Sequence, residues 1–273
     1  MEKIWKAARC AAVAAMLASS GMANAGVVAV WGESPFGVSL SGINTFYNNY
    51  GGHSSSIVSG QLNTIDLSSV DLLWAIQPAD AYTGAELSSM ASFLASGGRI
   101  AFMGEHGGIA QAENLRINDA LTFLGSSISI QYNVVLDGGF RTASKLDGQI
   151  KTHALTDGVN TYQYAAYAPL TVSGTGEVLM TGEDDPTSVM MAYQNIGPGS
   201  IFLITDQNVW DNSGSLWPGF DNEVMFDNLV EGKTGAPPVG GGVPEPATWA
   251  MMISGLAMAG GMMRRRRTTV SFA

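Results

Sequence analysis

Three short apolar runs in the first half of the chain constrain its fold most strongly. They lie at residues 27–31, 70–76 and 99–103, and each ends at a glycine or at a Gln-Pro pair. Each run is continuous rather than alternating, which is typical of strands buried on both faces of a parallel sheet. Stretches with apolar residues at helical spacing separate the runs. This order predicts crossover units, and therefore an α/β fold with a mostly parallel sheet and helices on both faces.

Helix-start signals support this order. Ser39 can cap a helix that continues to about Tyr50, and Thr83 followed three residues later by Glu86 has the spacing of a capping box. A third helix is predicted at 111–124. Further strands are predicted at 55–58, 128–135, 176–180, 188–193 and 200–205, and a last helix at 222–230.

The N-terminus has the charged, apolar and small-residue order of a secretory signal peptide. Lys3, Lys6 and Arg9 precede an apolar run, and Ala23 and Ala25 give a cleavage site after Ala25. Residues 1–25 are therefore predicted to be removed. The single cysteine of the chain lies within them, so the mature protein is expected to have no disulfide, thiolate nucleophile or zinc–thiolate site.

The C-terminus has three parts, after a Gly/Pro-rich linker at 233–243. In order, they are Pro244, Glu245 and Pro246; the 17 uncharged residues 247–263; and Arg264, Arg265, Arg266 and Arg267. The uncharged part is near the lower limit for a single transmembrane helix. The arginines would stay cytoplasmic and leave the body of the protein outside. An ordinary C-terminal anchor is one interpretation of this segment.

The same three-part order at 244–267 resembles the bacterial PEP-CTERM sorting signal, which exosortases recognise. The resemblance implies an exported protein that uses the secretion machinery and has exosortase as a partner. It also implies a transient inner-membrane anchor, cleavage near Pro244 to Pro246, and delivery to the cell surface or exterior of a Gram-negative-type bacterium. The resemblance says nothing of what the body at 26–232, predicted to be one domain, does there.

The net charge of the mature body limits the kinds of partner that it is expected to bind. The chain has 13 basic and 23 acidic residues. Removal of 1–25 and of everything from 244 onward leaves 6 and 21, a net charge of −15. So acidic a body is not expected to bind nucleic acid or anionic surfaces, but it can collect cations.

Parts of the body resemble class I glutamine-amidotransferase-like domains of the flavodoxin-like type. The resemblance rests on the strand, helix and strand at 71–103, the loop at 153–159, and the strand and helix after Gly197. In catalytic members, the turn after the 99–103 strand carries a cysteine nucleophile. Here that turn is Gly104, Glu105 and His106, so the resemblance implies that glutaminase chemistry is absent.

Ligands of open α/β sheets bind beyond the carboxyl ends of the strands. This rule predicts one crevice lined by Glu33, Gln77, Glu105, His106 and Asp206. No cofactor is required by the sequence, although Glu105 and His106 could bind a divalent cation or act as acid and base. Alternatively, these two side chains satisfy loop backbone groups and helix caps.

Other polar and aromatic groups have structural interpretations beside functional ones. His53 is predicted to be a solvated turn residue and His153 to be structural. The acidic turn at 183–185 could hold calcium or simply be solvated. Trp210, Trp217 and Phe220 could stack on sugar rings or pack over the sheet edge. We expect a non-catalytic exported protein, and the resemblance to PEP-CTERM proteins implies a role in the envelope or extracellular matrix that could include binding of polysaccharide. The alternative is an exported hydrolase that uses a metal in the crevice or the Glu105 and His106 pair.

Overall fold

The structure, a computed structural model, describes residues 25–32, 40–50, 52–210 and 219–230. These residues contain eleven strands, four α-helices and three short 3₁₀ helices. The chain divides into two compact units, Met1–Pro237 and Pro238–Ala273, and every described residue belongs to the first. The strands are β1 (Val27–Gly32), β2 (Ser54–Val58), β3 (Leu72–Ile76), β4 (Arg99–Met103), β5 (Ile128–Ile130), β6 (Arg141–Ser144), β7 (Thr161–Tyr164), β8 (Leu170–Val172), β9 (Glu177–Thr181), β10 (Val189–Ile196) and β11 (Gly199–Ile204). The helices are α1 (Leu40–Asn49), α2 (Gly84–Ala95), α3 (Gln111–Phe123) and α4 (Asn222–Asn228).

The main sheet is parallel in one half and antiparallel in the other. Its strand order is β2-β1-β3-β4-β11-β10-β8-β5, with β9 also paired to β10. The five strands from β2 to β11 run parallel, as the crossover pattern predicts. From β10 onward every pairing is antiparallel. The class is therefore α/β with a mixed sheet.

Both faces of the parallel half are covered, which explains its continuous apolar strands. Val28, Leu72 and Trp74 belong to a core shared with α1 and α4, whereas Ala29 and Leu73 belong to a core shared with α2 and α3. Neighbouring residues of one strand thus enter opposite cores, and neither face can be polar. The prediction of helices on both faces is confirmed.

The helix signals act as the sequence predicts. Thr83 Oγ1 accepts a hydrogen bond from the backbone N–H of Glu86, and Glu86 Oε2 accepts one from the backbone N–H of Thr83. This reciprocal capping satisfies two donors at the start of α2. The helices predicted near 40–50, 111–124 and 222–230 are present as α1, α3 and α4, while Ser39 lies outside the described residues.

The second half departs from the sequence-based assignment. The strand predicted at 128–135 ends at Ile130, because the chain then turns and Val134 N–H donates to the carbonyl of Gln131. Strands β6 and β7, which form a separate two-stranded sheet, and β8 were not predicted. They have only three or four residues each, too few for a clear period.

Within the described ranges, no helix is both long and apolar enough to cross a membrane. The predicted span at 247–263 lies outside these ranges, as do the predicted signal peptide, the Pro-Glu-Pro motif and the arginine cluster.

Candidate functional site

Three of the predicted crevice residues follow the carboxyl ends of neighbouring parallel strands. Ile76, Met103 and Ile204 are aligned across β3, β4 and β11. Gln77 comes directly after the first of these residues, Glu105 two residues after the second, and Asp206 two residues after the third. All three side chains are fully buried. Glu33, predicted to lie beside them, is outside the described residues.

Hydrogen bonds occupy the Glu105 carboxylate. Its Oε1 accepts from the backbone N–H of His106 at 2.7 Å, and its Oε2 accepts from the backbone N–H of Gln207 at 3.1 Å. Asn114 on α3 holds the backbone of Glu105 through a bond to its N–H at 3.1 Å and one to its C=O at 2.6 Å. Glu105 therefore joins the β4 and β11 loops.

The environment of Glu105 disfavours its charge. Burial, and to a smaller extent the nearby charge of Asp206, raise the pKa of Glu105 to about 8. The hydrogen bonds from the two backbone amides partly oppose this rise. The charge of Asp206 thus opposes ionisation of Glu105 in this buried site. We therefore expect the Glu105 carboxyl group to be protonated near neutral pH.

Asp206 also binds backbone groups. Its Oδ2 accepts from Ala165 N–H at 2.6 Å, and its Oδ1 accepts from Asn208 N–H at 2.8 Å. The first bond fixes the segment after β7, and the second starts the short 3₁₀ turn Gln207–Trp210. Both oxygens of Asp206 thus stabilise loops.

His106 does not form a close pair with Glu105. Its Nε2 is 3.9 Å from Glu105 Oε1, and its side chain is 23% exposed, whereas that of Glu105 is 1% exposed. Its Nδ1 accepts from Gly108 N–H at 3.1 Å, so neutral His106 carries its proton on Nε2. Burial lowers the pKa of His106 and favours this neutral form.

The turn after β4 also lacks the strained backbone of a nucleophile elbow. Seven residues separate Met103 from the start of α3, whereas an elbow passes sharply from strand to helix. In the described part of the chain, the non-glycine residues with positive φ are Gln77 and Asp137, and Glu105 is not among them. The turn that follows β4 therefore differs from a nucleophile elbow in its backbone conformation, and it also contains no cysteine.

Gln77 lies between the loops that follow β4 and β11 and forms hydrogen bonds to both. It has a φ of +31°, and its Nε2 donates to Gln207 Oε1 at 3.2 Å and to the Gly104 carbonyl at 3.4 Å. Its own Oε1 is buried and has no hydrogen-bond partner among the described residues. Gln77 thus fills the space between β3, β4 and β11.

A pocket of about 400 Å³ opens beside this network, at the carboxyl ends of β1 and β3. Trp31 and Tyr82 form its aromatic wall, with ring centroids 5.6 Å apart and planes inclined by 29°. Trp31 Nε1 donates to the Gly60 carbonyl at 2.9 Å. The remaining lining comes from Gly32, Ser59, Gly60, Gln61, Ile76, Pro78, Asp80, Thr83 and Glu86. The sequence-based prediction of the crevice did not include this pocket, because that prediction relied on polar and charged residues. Trp31, an aromatic residue at the end of a buried strand, was a usable signal.

The other candidate residues have structural partners. The prediction that His53 is solvated is wrong: its side chain is fully buried, its Nδ1 accepts from Gly26 N–H at 3.0 Å, and its Nε2 is 2.9 Å from Asp227 Oδ1. His153 caps the 3₁₀ turn Ala154–Thr156 by accepting from Leu155 N–H, which agrees with a structural role.

The side chains of the acidic turn and of Trp210 likewise have partners within the protein. Asp184 accepts from the guanidinium of Arg141, and Asp185 accepts from Thr187 and Ser188. Trp210 is buried and packs on Phe226 with ring centroids 4.3 Å apart, so it offers no face to a sugar. Trp217 lies outside the described residues. In the described ranges, no three His, Cys, Asp or Glu side chains are grouped so that they could hold a metal ion.

Solved structures share this fold at low sequence identity, and 53 chains match in all. The structure described as "mmIFT52 N-terminal domain" is 14% identical with a TM-score of 0.59, over 74% of this chain and 94% of that one. A putative ThuA-like protein from Parabacteroides merdae is 12% identical with a TM-score of 0.51, over 76% and 90%. A β-galactosidase from Bacillus circulans is 12% identical with a TM-score of 0.53, over 79% of this chain but 32% of the enzyme. These similarities show the fold alone.

The PEP-CTERM protein-sorting motif matches residues 242–267. The match includes Pro244, Glu245, Pro246 and all four arginines of the terminal cluster. This motif is the exosortase recognition signal, so the chain is an exported protein sorted by exosortase with a C-terminal membrane anchor before processing. No curated protein sequence is significantly similar to the chain.

Proposed function

We propose that this chain is a non-catalytic component of the cell envelope or extracellular matrix, associated with polysaccharide and released from its anchor near Pro244 to Pro246. The sorting motif at 242–267 is the observation that carries the proposal. The absence of catalysis is supported by Glu105 and Asp206, whose four carboxylate oxygens all accept hydrogen bonds from backbone amides.

The test is the intact mass and location of the protein made in an exosortase-containing host. The expected mass corresponds to residues 26 to about 243, found at the cell surface or in the medium. A matched variant with alanine at Pro244 and Pro246 should keep its tail and remain in the inner membrane. Finding the wild-type protein in the membrane with residues 247–273 still attached would contradict the proposal.

An exported hydrolase is the second candidate, and the raised pKa of Glu105 favours it. A protonated carboxyl group near neutral pH is suited to act as a general acid. In this hypothesis Glu105 donates the proton, and water is activated by a bound divalent cation or by His106, whose Nδ1 would first have to release the Gly108 N–H. Thermal unfolding with EDTA, and then with calcium or zinc, tests the metal route because a cation that binds the native state raises its stability. An unchanged melting temperature under all three conditions would contradict it.

A further inference from the structure

The pocket beside Trp31 lies where the strand order of the sheet reverses. Strand β2 pairs with one edge of β1, and β3 pairs with the other. The connection that follows β1 leads to β2 on one side, and the connection that follows β3 leads to β4 on the other, so a crevice opens between the carboxyl ends of β1 and β3. Ligands of open α/β sheets bind at this switch point. Its volume of about 400 Å³ is within the usual range for small-molecule sites.

The charges around the pocket disfavour an anion. Among the described residues, no lysine or arginine lines it, and Asp80 lies at its rim. Helix α2 begins beside it, and a helix N-terminus normally attracts phosphate. Here, however, the Glu86 carboxylate already accepts from Thr83 N–H at 2.9 Å and from Leu62 N–H at 3.3 Å. The Glu86 carboxylate thus already occupies the position at the start of α2 that a bound anion would take.

The remaining surface combines an aromatic wall with side chains that have no hydrogen-bond partner among the described residues. A hydrogen bond from its Nε1 to the Gly60 carbonyl fixes Trp31, which is only 9% exposed, so the partly exposed Tyr82 supplies most of the accessible aromatic surface. Ser59, Gln61 and Asp80 are exposed at the rim, and their side chains make no hydrogen bond within the described part of the chain. A hydroxyl, an amide and a carboxylate are therefore available beside a fixed apolar surface.

We propose that this switch-point pocket, defined by Trp31, Ser59, Gln61, Asp80 and Tyr82, binds a ring of a neutral saccharide. A pyranose ring has an apolar C–H face that matches the aromatic wall and hydroxyl groups that match the rim. An anionic sugar would meet Asp80 and Glu86, whereas an inorganic cation would leave the aromatic wall unused. The inference rests on the proposed association with polysaccharide and names the ligand class and the site.

Calorimetric titration of the full chain tests this site. The protein is purified in a detergent that has no sugar headgroup, because such a headgroup would compete for the pocket. The probes are neutral hexose oligosaccharides of several linkages, with an oligogalacturonate as the anionic comparison. The wild-type protein is expected to bind at least one neutral probe and not the anionic one. Tyr82→Ala should weaken that binding by at least about tenfold through loss of stacking area.

Two further variants separate a binding effect from a folding effect. Gln61→Ala changes an exposed side chain, so it should lower affinity without changing the melting temperature. Tyr132→Ala is the matched control, because Tyr132 is 37% exposed and lies outside the pocket. It should bind like the wild type.

Three results would overturn the pocket assignment. They are no binding of any neutral probe at millimolar concentration, preferential binding of the anionic probe, and neutral-probe binding that Tyr82→Ala and Gln61→Ala leave intact. In the last case the proposed polysaccharide association would survive and the site would lie elsewhere. The mass and location measurement addresses the sorting role independently.

Discussion

Replacing Glu105 by glutamine should remove a defined part of the pH dependence of folding. The pKa of Glu105 is raised from an ordinary value of 4.5 to about 8 in the folded protein. Between these two values, the folded state keeps a proton that the unfolded state has released. The free energy of unfolding therefore falls as pH rises through this window and levels off above about pH 8. A shift of this size corresponds to a change on the order of 3–5 kcal/mol across the window.

The assay is urea unfolding of the wild type and Glu105→Gln at pH values from 5 to 9. The glutamine amide cannot accept at both positions, so the variant should be less stable at pH 5 by about 1–3 kcal/mol. Its disadvantage should then shrink or reverse as the pH rises to 8. Burial lowers the pKa values of His106 and His153, which makes stability rise with pH below about 6.5. Both proteins contain these histidines, so their effect cancels in the difference.

Asp206→Asn tests whether the charge of Asp206 contributes to the raised pKa of Glu105. It removes the neighbouring charge, so the pKa of Glu105 should fall and the upper end of the window should move below pH 8. A difference between wild type and Glu105→Gln that stays constant from pH 5 to pH 8 would refute the reasoning, because Glu105 would then titrate alike in both states.

Three further substitutions probe the framework by urea unfolding at one pH. Thr83→Ala should cost about 1 kcal/mol by removing the cap of α2, and hydrogen exchange in that helix should rise; equal exchange would contradict the capping role. Gly104→Ala should be clearly destabilising, because a Cβ there would lie 2.4 Å from Asn114 Oδ1. Gly84→Ala is the matched control, since the space around its Cβ position is open, and it should be neutral or slightly stabilising. His53→Ala should cost about 1–3 kcal/mol, since it leaves a buried backbone N–H without its acceptor and Asp227 without its partner; an unchanged unfolding midpoint would mean that these bonds contribute no net stability.

The sequence predicts best the features that depend on neighbours along the chain. Continuous apolar runs identify β1, β3 and β4 because both faces of these strands are buried. The Thr83–Glu86 spacing identifies the start of α2 because capping involves residues of one turn. His53 shows the limit: its partner Asp227 is 174 residues away, and no local pattern distinguishes it from a solvated turn residue.

The candidate crevice shows a second limit of the same kind. The rule about carboxyl ends places Gln77, Glu105 and Asp206 after neighbouring strands at one edge of the sheet, because it depends only on strand direction and order. It does not predict which groups remain available there. That depends on backbone amides of distant loops, such as Ala165 for Asp206 and Gln207 for Glu105.

Hydrogen-bond saturation separates the two regions of the carboxyl edge. Beyond β4 and β11, the carboxylates are fully buried and bind the loops that pass over them, so a ligand could reach them only by breaking those bonds. Beyond β1 and β3, the pocket has a hydroxyl, an amide and a carboxylate that have no hydrogen-bond partner in the part of the chain that the structure describes, beside a fixed aromatic wall. Buried saturated groups favour a rigid framework, whereas exposed unpartnered groups favour exchange with a ligand. We therefore expect substitutions at Glu105 to change stability first and substitutions at Tyr82 to change binding first.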